Sequence, residues 1–181
     1  LVPLLASASP RVKFYGAQAL GRIRHNTAVE PLLAMLKANH DEDVYLRHAA
    51  VMALSRIGNE APMAALANNP DKSLRLAAVL VLRRLKSDKV ALFLKDSDEY
   101  IVTEAARAIN DDESILTALP ALASALSDPR FTTEPILRRA INANLRVGGT
   151  EQLERVIAFA KRNDVAKELR AEALATLGTW A

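Results

Sequence analysis

The stretch LRHAAVMAL at residues 46–54 is followed by a near copy, LRLAAVLVL, at residues 74–82. An earlier copy reads VKFYGAQAL at residues 12–20, and fainter copies begin at Ile101, Ile136 and Leu169. The steps between copies are 34, 28, 27, 35 and 33 residues. A unit of this length that recurs six times predicts a stack of repeats, in which each unit buries its apolar face only against its neighbours.

The six copies share an apolar stripe at offsets of zero, four, eight and eleven residues, which is the spacing of one helix face. The exceptions are Asn144 at offset eight and Asp112 at offset eleven. The position at offset four is small in every copy, so a neighbouring backbone can approach it closely. It is occupied by Gly16, Ala50, Ala78, Ala105, Ala140 and Ala173. We therefore expect the copies to be long helices that stack on one another through this small-residue column.

Residues with N-cap chemistry precede five of the six copies by three positions, because their side-chain oxygens can accept hydrogen bonds from the free N–H groups of a first helical turn. They are Ser9, Asp43, Asp71, Asp98 and Thr133. The sixth copy lacks such a residue there, and Asp164 slightly earlier predicts a shifted start. These residues fix the expected beginnings of the long helices.

Shorter helices are expected between the long ones, at roughly residues 29–38, 60–67, 88–94, 114–125 and 151–161, with a truncated first one at 2–6. No alternating β-branched run predicts a strand. The sequence therefore predicts an all-α, right-handed α-α superhelix of about six helical hairpins. It predicts one domain over residues 1–181, as a fragment of a larger protein, because the sequence begins at Leu1 inside a helical pattern.

The composition limits the functional classes. Half of the 181 residues are hydrophobic and only 4% are aromatic, which favours close helix packing. There is no cysteine, so disulfides, thiolate metal sites and cysteine nucleophiles are excluded. The net charge of +3 is too small to indicate nucleic-acid binding. No apolar run approaches the ~20 residues of a membrane span.

The pattern D-x-x-Φ-[RK]-x-x-A-Φ-x-A-L, where Φ is apolar, is clearest from Asp43 and from Asp71. It resembles the HEAT repeat family. The motif is short and degenerate, but several copies in register are specific for a fold. The resemblance implies a HEAT and armadillo-like stack of hairpins, and with it a protein-binding scaffold.

A second resemblance covers roughly Asp88 to Ala181. It rests on DSDEYIVTEAARAIND (residues 96–111), ALPALA (118–123), LRRAINANLRVGG (137–149) and LRAEAL (169–174). These runs resemble the helical linker of large bacterial membrane-bound dehydrogenase and c-type cytochrome proteins of the planctomycete–verrucomicrobial group. That resemblance implies an exported, haem-binding, electron-transfer parent. The segment itself has no C-x-x-C-H motif, so the resemblance assigns no catalytic or haem-binding residue here.

Four arginines form a basic set, ten residues after the first apolar position of their copies: Arg22, Arg56, Arg84 and Arg146. Ten steps of ~100° place them at about −80° from that position, at the edge of the buried stripe. They are candidates for a basic ridge that contacts an acidic partner or a neighbouring domain. The alternative is that they are solvated arginines whose stems cover Leu-rich surface.

Asn144 occupies a column that is Leu or Ile in the other copies, and a buried amide is costly unless it is hydrogen-bonded. It could bond the backbone near Gly148 and Gly149, or Asn110. Alternatively, it belongs to a contact site for another domain. The residues that would complete such a site are Arg107, Asn110, Asp111, Arg138, Arg139 and Asn142.

No constellation of catalytic residues or metal ligands is legible, so the sequence predicts a segment without catalytic, cofactor-binding or metal-binding residues. The expected role is a spacer and binding surface between a dehydrogenase-like propeller and a c-type cytochrome domain. The alternatives are a free-standing cytoplasmic adaptor and a HEAT-like cofactor lyase. The expected partner is protein, with no nucleic acid and no membrane contact. A periplasmic or exported location is expected if the dehydrogenase resemblance holds.

Overall fold

The computed structural model describes residues 1–111 and 115–180, and all regular secondary structure in those residues is helical. Six long α-helices correspond to the six repeat copies: α1 (Pro10–Arg22), α3 (Val44–Ile57), α5 (Lys72–Leu85), α6 (Glu99–Asn110), α8 (Glu134–Val147) and α10 (Lys167–Leu177). The intervening α-helices are α2 (Val29–Asn39), α4 (Glu60–Ala65), α7 (Leu119–Ser124) and α9 (Thr150–Ala160). The predicted all-α fold of six hairpins is confirmed.

Several of the shorter helices are 3-10 helices, which are wound more tightly than the α-helices that the sequence pattern indicated. The first is a 3-10 helix, Val2–Ala6, and the fourth is a 3-10 helix, Asp88–Lys95. Further 3-10 turns are Asn26–Ala28, Leu66–Asn68, Leu116–Ala118 and Ala125–Ser127. Apolar spacing is similar in short α- and 3-10 helices, so the pattern locates these elements without distinguishing them.

All five predicted N-cap residues lie directly before a long helix, so the predicted starts are confirmed. Only the three aspartates cap with their side chains; Asp43, for example, accepts from Tyr45 N at 2.8 Å. Thr133 does not, because its hydroxyl bonds Glu99 and Pro135 removes a donor from the first turn.

The expected start of the sixth long helix was wrong. The cap residue of α10 is Ala166, three residues before the first apolar residue Leu169, so its start is not shifted. Asp164 instead forms an ion pair with Arg162, at 2.7 Å. The first turn of α10 therefore has no side-chain cap.

The core follows the small-residue column. Its five alanines are fully buried, as are Gly16 and its neighbour Ala17. Two expected core residues are exposed: Val12, near the start of α1, and Ile23, which lies beyond its end. At the same offset of eleven, Ile57, Leu85, Val147 and Trp180 are half-buried, because the long helices end there. Asp112 lies outside the described residues.

The chain divides into two compact units, Leu1–Lys89 and Val90–Ala181, which we call the N-terminal and C-terminal units. In the N-terminal unit α3 packs between α1 and α5, and in the C-terminal unit α8 packs between α6 and α10. The boundary falls inside the 3-10 helix Asp88–Lys95. A single domain over residues 1–181 remains a prediction.

Candidate functional site

The ends of α6 and α8 in the C-terminal unit are joined by charged groups that the sequence singled out. Arg139 donates from Nε and Nη2 to the two carboxylate oxygens of Asp111, at 2.9 and 2.6 Å. Arg146 donates to the Asn110 carbonyl oxygen at 3.1 Å. Burial of Asp111 opposes its ionisation, but the Arg139 guanidinium outweighs it and holds the pKa of that carboxyl below its ordinary value. These contacts fasten the two helices together.

The other predicted arginines of this unit are also paired with carboxylates. Arg107 donates to Glu104 at 2.8 Å, and Glu104 is otherwise buried. Arg138 bonds Glu134 at 2.7 Å and also bonds Glu172 of α10. Their charges are thus compensated within the unit, whereas Asn142 lies exposed on α8.

Asn144 is completely buried. It cannot form part of an exposed contact site, so the prediction that it belongs to a contact site for another domain is wrong. Its amide nitrogen donates to the carbonyl oxygens of Ala123 and Ala140, at 2.9 and 2.8 Å. Its amide oxygen accepts from Arg155 at 2.9 Å. The expected partners near Gly148 or at Asn110 were wrong, because α7 and α9 supply closer groups. Asn144 is therefore a structural residue.

Three members of the predicted basic set belong to the N-terminal unit and differ from their counterparts in the C-terminal unit. Arg22 and Arg84 are exposed, and neither has a hydrogen-bond or ion-pair partner among residues 1–111 and 115–180. Arg56 donates to the side-chain oxygen of Gln18 in α1 at 2.8 Å. No carboxylate in the described chain neutralises these three guanidinium groups.

Two exposed aromatic side chains on the same helices were missed by sequence reasoning. Tyr15 and Tyr45 are 59% and 74% exposed. They line a shallow depression of about 270 Å³ together with Arg11, whose guanidinium lies 6.0 Å from the Tyr15 ring centre. Phe14 supports Tyr15 edge to face, with ring centres 5.4 Å apart. The sequence signal for Tyr15 and Tyr45 was that each is aromatic at a position where the adjacent repeats have a small or polar residue.

We call the accessible side of the long helices of the N-terminal unit the open face. It is defined by Arg11, Tyr15, Gln18, Arg22, Tyr45, Met52, Arg56, Leu80 and Arg84, all exposed or half-buried. Tyr45 lies in the first turn of α3, and Tyr15 lies in the middle of α1. The arginines lie at the C-terminal ends of α1, α3 and α5. The face thus combines two exposed tyrosines with a row of arginines.

The two units have formal net charges of opposite sign, although the whole chain has a net charge of +3. The N-terminal unit has thirteen Lys and Arg against seven Asp and Glu, a formal charge of +6. The C-terminal unit has eleven against fourteen, a formal charge of −3. A basic surface is therefore a property of the N-terminal unit alone.

In residues 1–111 and 115–180, no group of three or more His, Asp or Glu side chains is arranged to hold a metal ion. None of the helices in that part of the chain combines the length and the apolar character needed to span a bilayer.

Residues 1–83 match the model of a family described as HEAT repeats. No curated protein matches the chain. A designed armadillo repeat protein solved in complex with peptide (KR)4 matches with a TM-score of 0.52 and 17% identity, over 99% of this chain and 98% of that one. A second designed armadillo repeat protein gives a TM-score of 0.49 and 16% identity, over 99% and 98% of the two chains.

These likenesses show the fold: a stack of helical hairpins of the HEAT and armadillo type, with the HEAT match confined to the first 83 residues. Neither comparison supports the narrower resemblance of the second half to dehydrogenase and cytochrome proteins.

Proposed function

We propose that this chain of HEAT and armadillo-like repeats is a non-catalytic scaffold that binds an extended segment of a partner protein along the open face. The observation that carries the proposal is the pairing of exposed aromatic rings with uncompensated arginines on one side of the N-terminal unit. Tyr15 and Tyr45 offer large, rigid contact areas of the kind that dominate binding energy at protein interfaces.

The ionisation of the described carboxylates supports a non-catalytic role. Those with displaced pKa values are Glu60, Asp71, Asp111, Asp128 and Asp164, and every displacement is downward. Burial opposes the change at Asp71 and Asp111, but in each of the five groups hydrogen bonds and neighbouring cations outweigh it and favour the anion. A general acid or base works best with a pKa moved toward the operating pH, which is the opposite direction for a carboxylate.

The chemistry of the open face favours an acidic protein segment as the ligand. The peptide of the designed armadillo protein, (KR)4, is basic. A unit with a formal charge of +6 would repel such a peptide, whereas an acidic segment would be attracted over several ångströms. The partner could be another domain of a longer polypeptide or a separate acidic protein. No cofactor takes part in the proposed binding.

The test is selection of ligands for the full chain from a displayed library of random peptides. Selected peptides should lose affinity by about tenfold or more in Tyr45→Ala, because a central aromatic contact is removed. Tyr15→Ala should weaken binding similarly. The matched control is Leu116→Ala, which truncates an exposed apolar side chain of the C-terminal unit. Failure to select any peptide, or peptides indifferent to both tyrosines, would contradict the proposal.

A narrower proposal is that the chain is a spacer between a dehydrogenase-like propeller and a c-type cytochrome domain in an exported protein. Its support is the resemblance of the runs between Asp88 and Ala181. The full reading frame tests it: a signal peptide and a downstream C-x-x-C-H motif are expected. A frame without either would favour the free-standing adaptor.

A further inference from the structure

We infer that the open face selects partner segments that carry a carboxylate at every third residue, which Arg22, Arg56 and Arg84 bind one by one. This inference rests on the proposed function and specifies its ligand. The three arginines occupy the same position in three successive repeats, ten residues after the first apolar column. Because α3 packs against both α1 and α5, the arginines form a row across the unit.

The row lacks the carboxylate contacts that several arginines elsewhere in the described chain make. In the C-terminal unit, Arg107, Arg138 and Arg139 each reach a carboxylate, and in the N-terminal unit Arg47 reaches Asp41 at 2.5 Å. The partner of Arg56 is instead the neutral amide of Gln18, which fixes the direction of the guanidinium without neutralising it. Within the described residues, the three guanidinium groups thus have no carboxylate in hydrogen-bond or ion-pair contact.

The position of the arginines within their helices explains part of this pattern. Each lies at or near the last turn of its helix, where a cation gains roughly 0.3–1 kcal/mol from the helix dipole. The dipole would favour an arginine at the end of each helix whether or not a carboxylate stood beside it. The dipole therefore explains why these groups are positive, but it does not explain why no carboxylate contacts them.

The spacing of packed helices sets the spacing of the ligand. Neighbouring helix axes lie about 8–10 Å apart, so successive arginines of the row are separated by about that distance. A polyproline II segment has three residues per turn and rises about 3.1 Å per residue. Residues i, i+3 and i+6 then lie on one side of the segment, about 9 Å apart. Glutamates at those positions would meet Arg22, Arg56 and Arg84 in order.

The same spacing favours a protein over a nucleic acid. Phosphates of one nucleic-acid strand follow one another at about 3.4 Å along the helix axis. A row with one arginine every 8–10 Å or so would neutralise about one phosphate in three. Tyrosines could stack on bases, so a nucleic-acid ligand is included in the test as an outcome that overturns the inference.

The experiment compares two fluorescent peptides of identical composition with the full chain. One has glutamates at positions 1, 4 and 7 with proline and alanine between them; the other has its three glutamates adjacent. By fluorescence anisotropy at low salt, the spaced peptide should bind at least about fivefold more tightly. Equal affinity of the two peptides would overturn the inference, as would a single-stranded oligonucleotide of equal charge that binds more tightly than the spaced peptide.

Variants separate the arginine row from general attraction. Arg56→Ala should abolish the preference for the spaced peptide, and Gln18→Ala should reduce it because the guanidinium is no longer held. Lys37→Ala removes an exposed charge of the same unit from α2 and should preserve the preference. Thermal unfolding of each variant shows that it is folded. A preference that survives replacement of all three arginines would overturn the inference.

Failure of this inference is distinguishable from failure of the proposed function. If the library yields peptides that depend on Tyr15 and Tyr45 but are not acidic, the binding function stands and the carboxylate spacing is refuted. If the library yields none, the binding function itself is refuted.

Discussion

Gly21 of α1 lies so close to Ala53 of α3 that a methyl group at position 21 would stand 2.5 Å from the Ala53 Cα atom and 3.0 Å from its Cβ atom. No side chain fits between the two helices at this point. The backbones of the first two long helices are therefore in direct contact, and the absence of a side chain at position 21 permits it.

Gly21→Ala should destabilise the N-terminal unit by roughly 1–3 kcal/mol, because the added methyl meets backbone that cannot move alone. Elsewhere in a helix the same change stabilises by about 0.5–1 kcal/mol. Gly16→Ala is the graded control, since its methyl would meet the side chain of Leu4 at 3.0 Å, in a short and partly exposed 3-10 helix that can shift. Thermal unfolding by circular dichroism measures both. Equal effects of the two changes would contradict the close-contact argument.

The buried amide of Asn144 should be coupled to Arg155. Asn144→Leu restores the apolar residue of its column but leaves the guanidinium of Arg155, whose side chain is only 11% exposed, without its buried acceptor. We expect a loss of about 2 kcal/mol in the free energy of unfolding. Asn144→Leu combined with Arg155→Met should lose less than the sum of the single changes. Denaturant unfolding followed by Trp180 fluorescence reports on this unit, and strict additivity would refute the coupling.

The first turn of α10 should gain from the cap that it lacks. Ala166 already has extended backbone angles, with φ −56° and ψ 141°, so Ala166→Asp requires no rearrangement. We expect a gain of about 1 kcal/mol from capping and from the helix dipole. Slower amide hydrogen exchange in α10 would show it. Ala175→Asp, at an exposed position near the opposite end of the helix, should give no gain.

Acid should weaken the C-terminal unit through Asp111. Its folded-state pKa is lowered, so the ion pair with Arg139 contributes stability above the unfolded value near 4, and that contribution is lost as the pH falls through the folded value. Asp111→Asn should cost roughly 1–2 kcal/mol at pH 7 and progressively less as the pH falls through the folded-state pKa of Asp111. Glu42→Gln, at an exposed position, is the control. A difference that stays the same as the pH falls would contradict the ion-pair account.

The repeat pattern predicted the helices well, because it depends on spacing within one element. The three aspartate caps and the buried alanine column follow from offsets of three and four residues around a single apolar position. The close approach of Gly21 to Ala53 could not be predicted, since the two residues stand at different offsets in their repeats. It depends on how α1 and α3 cross, which no spacing along one helix encodes.

The candidate site could be predicted only in part, for a related reason. The positions of Arg22, Arg56 and Arg84 followed from the repeat alignment, but their lack of carboxylate partners required the structure. Arg139 belonged to the same predicted surface, yet it is paired with Asp111, 28 residues earlier. The partner of a long, flexible side chain depends on the three-dimensional fold. Sequence offsets therefore cannot distinguish an arginine that is paired with a carboxylate from one that is not.

The uncompensated row also makes folding of the N-terminal unit respond to its ligand. Its positive groups repel one another in the empty protein, and carboxylates from a partner would relieve that repulsion only in the folded state. By mass action, a ligand that binds the folded form alone raises the melting temperature as its concentration rises. The melting temperature of this unit therefore reports how much of the scaffold is occupied.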